Sequence, residues 1–191
     1  MLDDGVLIER IRAGDLQAFE ELYNRYRRPV FHTALAITHD QQAAEEILQD
    51  CFVRAYRHMD RVDSSLPLSP WLHRIAVNLS YNWATRRRPW LLSLEGTLEH
   101  LAAAACHLPE RIAENNEAQR AVQKAIDGLS FKHRVVVILH FLQGFSLAEI
   151  AYILDCPEGT VKSRLHHACR KLREKLRRES LLEPSVGLEF L

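Results

Sequence analysis

The sequence is poor in the residues and runs that mark fibrous, disordered, secreted or membrane proteins. Its 191 residues include only seven glycines and seven prolines, and 47% of them are hydrophobic, which excludes a collagen-like, linker-dominated or wholly disordered chain. The longest stretch without a charged side chain spans residues 135–148, and about 18–20 apolar residues are needed to cross a bilayer. No basic segment followed by an apolar core opens the chain, so no signal peptide is visible. These absences predict a soluble cytoplasmic protein that does not insert into a membrane.

Cysteine is also scarce, and its positions are scattered. The four cysteines are Cys51, Cys106, Cys156 and Cys169. None belongs to a C-x-x-C pair, and His166 and His167 beside Cys169 would still need a fourth partner to form a tetrahedral zinc site. The sequence contains neither an H-E-x-x-H motif nor a glycine-rich phosphate loop. We therefore expect reduced thiols, no metal, no cofactor and no catalytic residues.

Net charge is absent overall but is unevenly distributed. The chain has 25 basic and 25 acidic residues, and residues 1–90 are balanced. Residues 91–118 are acidic, whereas residues 162–178 contain eight Lys or Arg against the single acid Glu174. A basic segment behind an acidic one indicates modules with different partners.

Apolar residues recur at three- and four-residue spacings along most of the chain, which predicts an all-α protein. Residues 41–59 form one amphipathic helix, and Pro29 is expected in the first turn of the helix before it. Two prolines make residues 61–70 a loop, and the next helix is expected from Trp71 to the arginines before Pro89. Periodicity weakens over residues 90–116.

This pattern predicts two small helical domains joined by a flexible linker. The expected boundaries are 1–90 for the N-terminal domain, 91–116 for an acidic linker, 117–180 for the C-terminal domain and 181–191 for a tail. Helical periodicity resumes near residue 118, and Gly144 is expected to end a helix.

The C-terminal domain contains the sharpest motif. Ser146 and Glu149 have the spacing of a capping box, which opens a short apolar helix. Residues 155–157 (DCP) predict a tight turn, and a basic amphipathic helix follows it. Two helices joined in this way predict a helix-turn-helix, whose second helix enters the major groove of DNA. A helical hairpin with a solvated basic face is the alternative interpretation.

Several stretches together resemble the extracytoplasmic-function sigma factors of the sigma-70 family. They are residues 14–23 (GDLQAFEELY), 44–56 (AEEILQDCFVRAY), 71–79 (WLHRIAVNL), 147–154 (LAEIAYIL) and 159–165 (GTVKSRL). The matches cover nearly all of residues 1–180 in the family's order and spacing. The resemblance implies a protein without catalytic activity that binds core RNA polymerase, recognises the −35 and −10 promoter elements and promotes DNA melting. It also implies an anti-sigma partner that clamps the two domains together.

The resemblance assigns residues to each of these tasks. Contacts with the −35 element are expected from Lys162, Ser163, Arg164, His166, His167, Arg170 and Lys171. Contacts with the −10 element and the parted strands are expected from Ser64, Ser65, Leu66, Trp71, Asn78, Asn82, Arg86, Arg87 and Arg88. Docking on the polymerase is expected from Gln49, Asp50, Val53 and Arg54.

One other function remains open from the residues themselves. A stand-alone, dimeric helix-turn-helix regulator would use residues 1–90 to dimerise or to bind an effector. Such a regulator would bind specific duplex DNA tightly without polymerase, whereas a sigma factor would bind it poorly, in keeping with the zero net charge.

Overall fold

The structure is a computed structural model that describes residues 3–87 and 117–178. Every regular element in these two ranges is helical, which confirms the all-α prediction. The expected linker and tail lie outside the described residues, as do Arg88 and Cys106. No helix within the described ranges is long and apolar enough to span a bilayer.

The helices form two groups along the chain. The first group contains α1 (Asp4–Arg12), α2 (Leu16–Thr38), α3 (Gln41–Arg57), a 3₁₀ turn (Met59–Arg61) and α4 (Leu68–Arg87). The second group contains α5 (Glu117–Asp127), α6 (Phe131–Val137) with a π-helical turn (Ile138–Leu142), α7 (Leu147–Leu154) and α8 (Glu158–Arg178). Gly144 follows the π-helical turn with a positive φ of 75°, as expected for a glycine at a helix end.

Aspartates set the start of the early helices. The Asp15 carboxylate accepts hydrogen bonds from the backbone N–H groups of Gln17 and Ala18, at 2.9 and 3.2 Å, and so caps α2. Arg10 also pairs with Asp15 at 2.7 Å, and these bonds hold the pKa of that carboxyl below its usual value. Asp40 caps α3 in the same way through the N–H of Ala43.

Two predicted helix starts are wrong. Pro29 does not begin a helix but lies inside the continuous α2, because the buried residues Leu22 and Val30 anchor the helix on both sides of it. The helix expected from Trp71 begins three residues earlier, at Leu68, which is fully buried. Pro70 then falls in the first turn, where the helix requires no backbone N–H donor.

The core of the first group lies between α2, α3 and α4, with α1 packed on α2. The core of the second group lies between α6, α7 and α8 and includes Val136, Leu139, Ile150 and Val161, all 0% exposed. Ile37 of α2 and Val77 of α4 belong to this second core, so the two groups share a buried boundary.

The boundary is built mainly on α4. The ring of His73 meets the ring of Phe145 edge to face at 4.8 Å, and both side chains are buried. Beside them, Arg74 pairs with the Asp155 carboxylate at 3.3 Å and lies over the ring of Tyr152. His39, the C-terminal cap of α2, lies 3.2 Å from the Asp127 carboxylate of α5. The two helical groups are therefore in direct contact, and α4 is buried on two sides.

Candidate nucleic-acid interface

The helix-turn-helix begins with the predicted capping box. The backbone N–H of Ser146 donates to Glu149 Oε2 at 2.8 Å, and the backbone N–H of Glu149 donates to Ser146 Oγ at 3.3 Å. Both donors at the start of α7 are therefore satisfied reciprocally. This reciprocal pairing confirms the prediction made from the spacing.

The turn between α7 and α8 has the geometry that the sequence predicts. Asp155 adopts the left-handed conformation with φ 52°, which Asp tolerates better than most residues. The Cys156 N–H then donates back to the Ala151 carbonyl at 3.1 Å. The Pro157 carbonyl accepts from the N–H of Thr160 at 2.9 Å, so α8 starts immediately after the proline.

Helix α8 has one buried face and one exposed basic face. Val161, Leu165 and Ala168 are at most 3% exposed and pack into the second core. On the other face, Lys162, Ser163, His166, His167 and Arg170 are exposed, and Arg164 and Lys171 are half-buried. The structure thus brings all seven residues expected at the −35 element onto one helix whose basic face is open to a ligand.

Contacts within this face orient several of its side chains. Arg170 Nη2 lies 3.3 Å from Nδ1 of His167, and the His167 ring meets the rings of His166 and His133 edge to face. The Arg164 guanidinium lies 3.9 Å from the Cys156 thiol, which holds it near the turn. Cationic and hydroxyl groups of this kind bind phosphates and the edges of bases.

A second exposed face lies on α3. Gln49, Asp50, Val53 and Arg54 are all exposed on it, and the Val53 side chain is 48% accessible. The opposite face buries Cys51, whose thiol donates to the Leu72 carbonyl at 3.5 Å. Burial raises the pKa of this thiol to about 12, so Cys51 is a core residue and not a reactive group.

The loop before α4 presents a small polar tip. Asp63 Oδ1 accepts from both the backbone N–H and the hydroxyl of Ser65, at 2.9 and 2.6 Å, and these bonds lower the pKa of Asp63. Ser64 is half-buried, Ser65 is exposed and the Leu66 side chain is 57% accessible. Buried Val62 and Leu68 fix the two ends of this tip.

The remaining residues expected at the −10 element follow one stripe of α4. Asn78, Asn82 and Arg86 are exposed at four-residue spacing, and Trp71 lies half-buried at the start of the same stripe. Arg87 is the last residue of α4. The loop tip and this stripe therefore follow one another along the chain, and both are accessible.

Sequence reasoning missed the residues of α1 that hold this loop. Arg12 donates from Nε to the Met59 carbonyl at 3.1 Å and from Nη2 to the carbonyls of Asp60 and Val62. Gly5 approaches the backbone of Ser64 so closely that a Cβ on it would lie 2.6 Å from the Ser64 carbonyl oxygen. The basic end of α1 is the one sequence feature that indicates these contacts. Their partners lie about 50 residues away, so local spacing does not reveal them.

No group of three or more His, Cys, Asp or Glu side chains within residues 3–87 and 117–178 is arranged to hold a metal ion. Cys51, Cys156 and Cys169 are free thiols. The surfaces described above present charged groups, hydrogen-bonding groups and apolar side chains.

Comparison with known proteins finds one family model in each group of helices. The model of Sigma-70 region 2 matches residues 22–89, and the model of Sigma-70, region 4 matches residues 119–172. The ECF RNA polymerase sigma factor SigW of Bacillus subtilis is 32% identical over 177 residues, which covers 89% of this chain and 95% of SigW. The ECF RNA polymerase sigma-E factor of Escherichia coli K12 is 32% identical over 187 residues, which covers 92% of this chain and 95% of that protein.

A solved structure agrees with these relatives. The sigma factor RpoE from Bartonella quintana, crystallised in complex with the anti-sigma factor NepR, superposes with a TM-score of 0.65 at 26% identity. The match covers 83% of this chain and 96% of RpoE. Two helical groups in this order, a helix-turn-helix in the second, and relatives that match over nearly their whole length lead to one assignment: the chain belongs to the extracytoplasmic-function sigma factors of RNA polymerase.

Proposed function

We propose that this chain binds core RNA polymerase and directs it to promoters by contacting the −35 and −10 elements. The observation that carries the proposal is the exposed basic face of α8 on a helix-turn-helix, in a chain of the sigma factor family. The chain acts by binding, without a catalytic step of its own. Its place of action is the cytoplasm, where the polymerase and the promoter meet.

The −35 element is read by the first half of α8. Recognition helices present their N-terminal turns to base edges in the major groove, which assigns Lys162, Ser163, Arg164, His166 and His167 to the bases. Arg170 and Lys171 lie further along the helix and are assigned to phosphates, which position the helix without reading sequence.

The polymerase is bound by the exposed face of α3. Val53 supplies apolar contact at its centre, and Gln49, Asp50 and Arg54 supply polar contact around it. A small apolar centre within a polar rim is the usual organisation of a protein interface.

The −10 element is melted by the loop tip and α4. Flipping one base out of the stack costs a few kcal/mol, and the protein recovers this free energy by binding the extruded base and the nearby phosphates. Ser64, Ser65 and Leu66 are assigned to the extruded base, with Trp71 beside them. The parted strand then follows the stripe of Asn78, Asn82 and Arg86. Arg87 and Arg88 come next in the sequence and are also assigned to this strand.

An anti-sigma protein is the proposed regulator. The solved relative RpoE was crystallised with the anti-sigma factor NepR, which supports a partner of this class for this chain. Such a partner inhibits transcription by covering the surfaces assigned to polymerase or promoter.

The experiment is reconstitution of transcription from purified components. The full chain, added to core polymerase, is expected to produce transcripts from promoters that carry its −35 and −10 elements, while core polymerase alone produces none. Tight, specific binding to duplex DNA without polymerase, together with no gain in transcription, would favour the stand-alone regulator and refute the proposal.

A further inference from the structure

We infer that Arg12 of α1 is a positioning residue for −10 recognition: its guanidinium holds the loop that presents Ser64, Ser65 and Leu66. The inference rests on the proposed function of that loop. Arg12 donates to three carbonyl groups around the 3₁₀ turn, those of Met59, Asp60 and Val62. The Met59 carbonyl also accepts from the N–H of Val62 at 3.3 Å, whereas the Asp60 and Val62 carbonyls lie at the end of the short helix, where intrahelical donors run out.

The remaining donors of Arg12 are also used, and α1 contacts the loop a second time. Arg12 Nη1 pairs with Glu9 on the same helix at 2.6 Å, which fixes the orientation of the guanidinium plane. Gly5, two turns earlier on α1, touches the backbone of Ser64 at the loop tip. Helix α1 therefore contacts the loop both where it leaves the 3₁₀ turn and at its tip. No residue of α1 is itself assigned to DNA.

Variants at three positions of α1 separate positioning from general stability. Arg12→Ala removes all three carbonyl contacts, and Arg12→Lys keeps the charge but not the planar fork. Gly5→Ala favours the helix but forces the loop tip to move. The matched control is Arg10→Ala, because Arg10 lies on the same helix but its guanidinium donates to Asp15 and not to the loop carbonyls.

The readout is discrimination between bases at the −10 element, measured with holoenzyme and single-stranded oligonucleotides. Hydrogen bonds to charged groups are strong enough that we expect Arg12→Ala to reduce this discrimination about tenfold or more. Gly5→Ala is also expected to reduce this discrimination. Arg12→Lys is expected to retain part of it, and Arg10→Ala is expected to leave it unchanged. Core binding and −35 binding should not change in any of these variants.

The outcomes also distinguish this inference from the proposed function. If Ser65→Ala and Leu66→Ala alter discrimination but Arg12→Ala and Gly5→Ala do not, the inference about Arg12 is wrong and the loop assignment stands. If no loop variant alters discrimination, the loop assignment itself fails. Loss of discrimination in Arg10→Ala as well would show a general effect of α1 and would also refute the inference.

Discussion

Replacement of Arg170 by alanine is expected to weaken promoter binding by about the same factor for every −35 sequence. Arg170 lies eight residues after Lys162, about 12 Å further along α8, and its guanidinium is exposed beside His167. One phosphate contact contributes about 0.9 to the slope of log affinity against log salt concentration. Between about 50 mM and about 200 mM salt, the wild type should therefore lose about 3.5-fold more affinity than the Arg170→Ala variant.

Replacement of Arg164 should have a different signature. Arg164 lies within the first two turns of α8, close to the turn at Cys156, where a recognition helix reaches base edges. Loss of a bidentate base contact costs about 1–3 kcal/mol of discrimination at one base pair. Arg164→Ala should therefore bind the correct −35 element more weakly, yet bind a scrambled element nearly as the wild type does.

The assay is fluorescence anisotropy with holoenzyme and promoter fragments that carry an intact or a scrambled −35 element, over a series of salt concentrations. Contacts made by the polymerase cancel in the difference between variant and wild type. Arg28→Ala, an exposed arginine on α2, is the matched control and should change neither slope nor discrimination. Equal losses for Arg164→Ala and Arg170→Ala on both fragments would refute the division of α8 into base and phosphate contacts.

Three further variants test other parts of the molecule. Asp50→Arg reverses a charge on the exposed face of α3 and should abolish co-purification with core polymerase; retained co-purification would refute the docking assignment. Ser146→Ala removes the capping box of α7 and should lower the free energy of unfolding by about 1 kcal/mol, measured by urea denaturation. Burial lowers the pKa of His73, so the unfolded chain binds the proton more readily and stability should fall as pH drops below about 6.5. The thermal midpoints of wild type and His73→Gln at pH above and below this value measure that loss, and identical pH dependence in both would contradict it.

Local signals in the sequence predicted the helix-turn-helix in detail. The capping box of Ser146 and Glu149 and the turn at Asp155 depend only on residues a few positions apart, so their chemistry is visible in the sequence. The exposed and buried faces of α3 and α8 followed from helical spacing for the same reason. Assignment of these faces to polymerase and DNA is a prediction that still needs the variants described above.

Errors arose where distant packing outweighs local preference. Pro29 favours a helix start, but burial on both sides of it keeps α2 continuous. The second buried side of α4, with His73, Val77 and Ser80, was not expected because its partners lie about 70 residues away, at Phe145 and in α7. Arg12 was missed for a similar reason, since a guanidinium that binds backbone carbonyls leaves no pattern in the sequence of its partners.

Helix α4 is covered on two sides, and removal of one cover would expose apolar side chains to water. Separation of the helical groups would present Ile37, Val77 and Phe145 to water, and an apolar patch of this kind promotes self-association. A variant that loosens this boundary would therefore tend to aggregate.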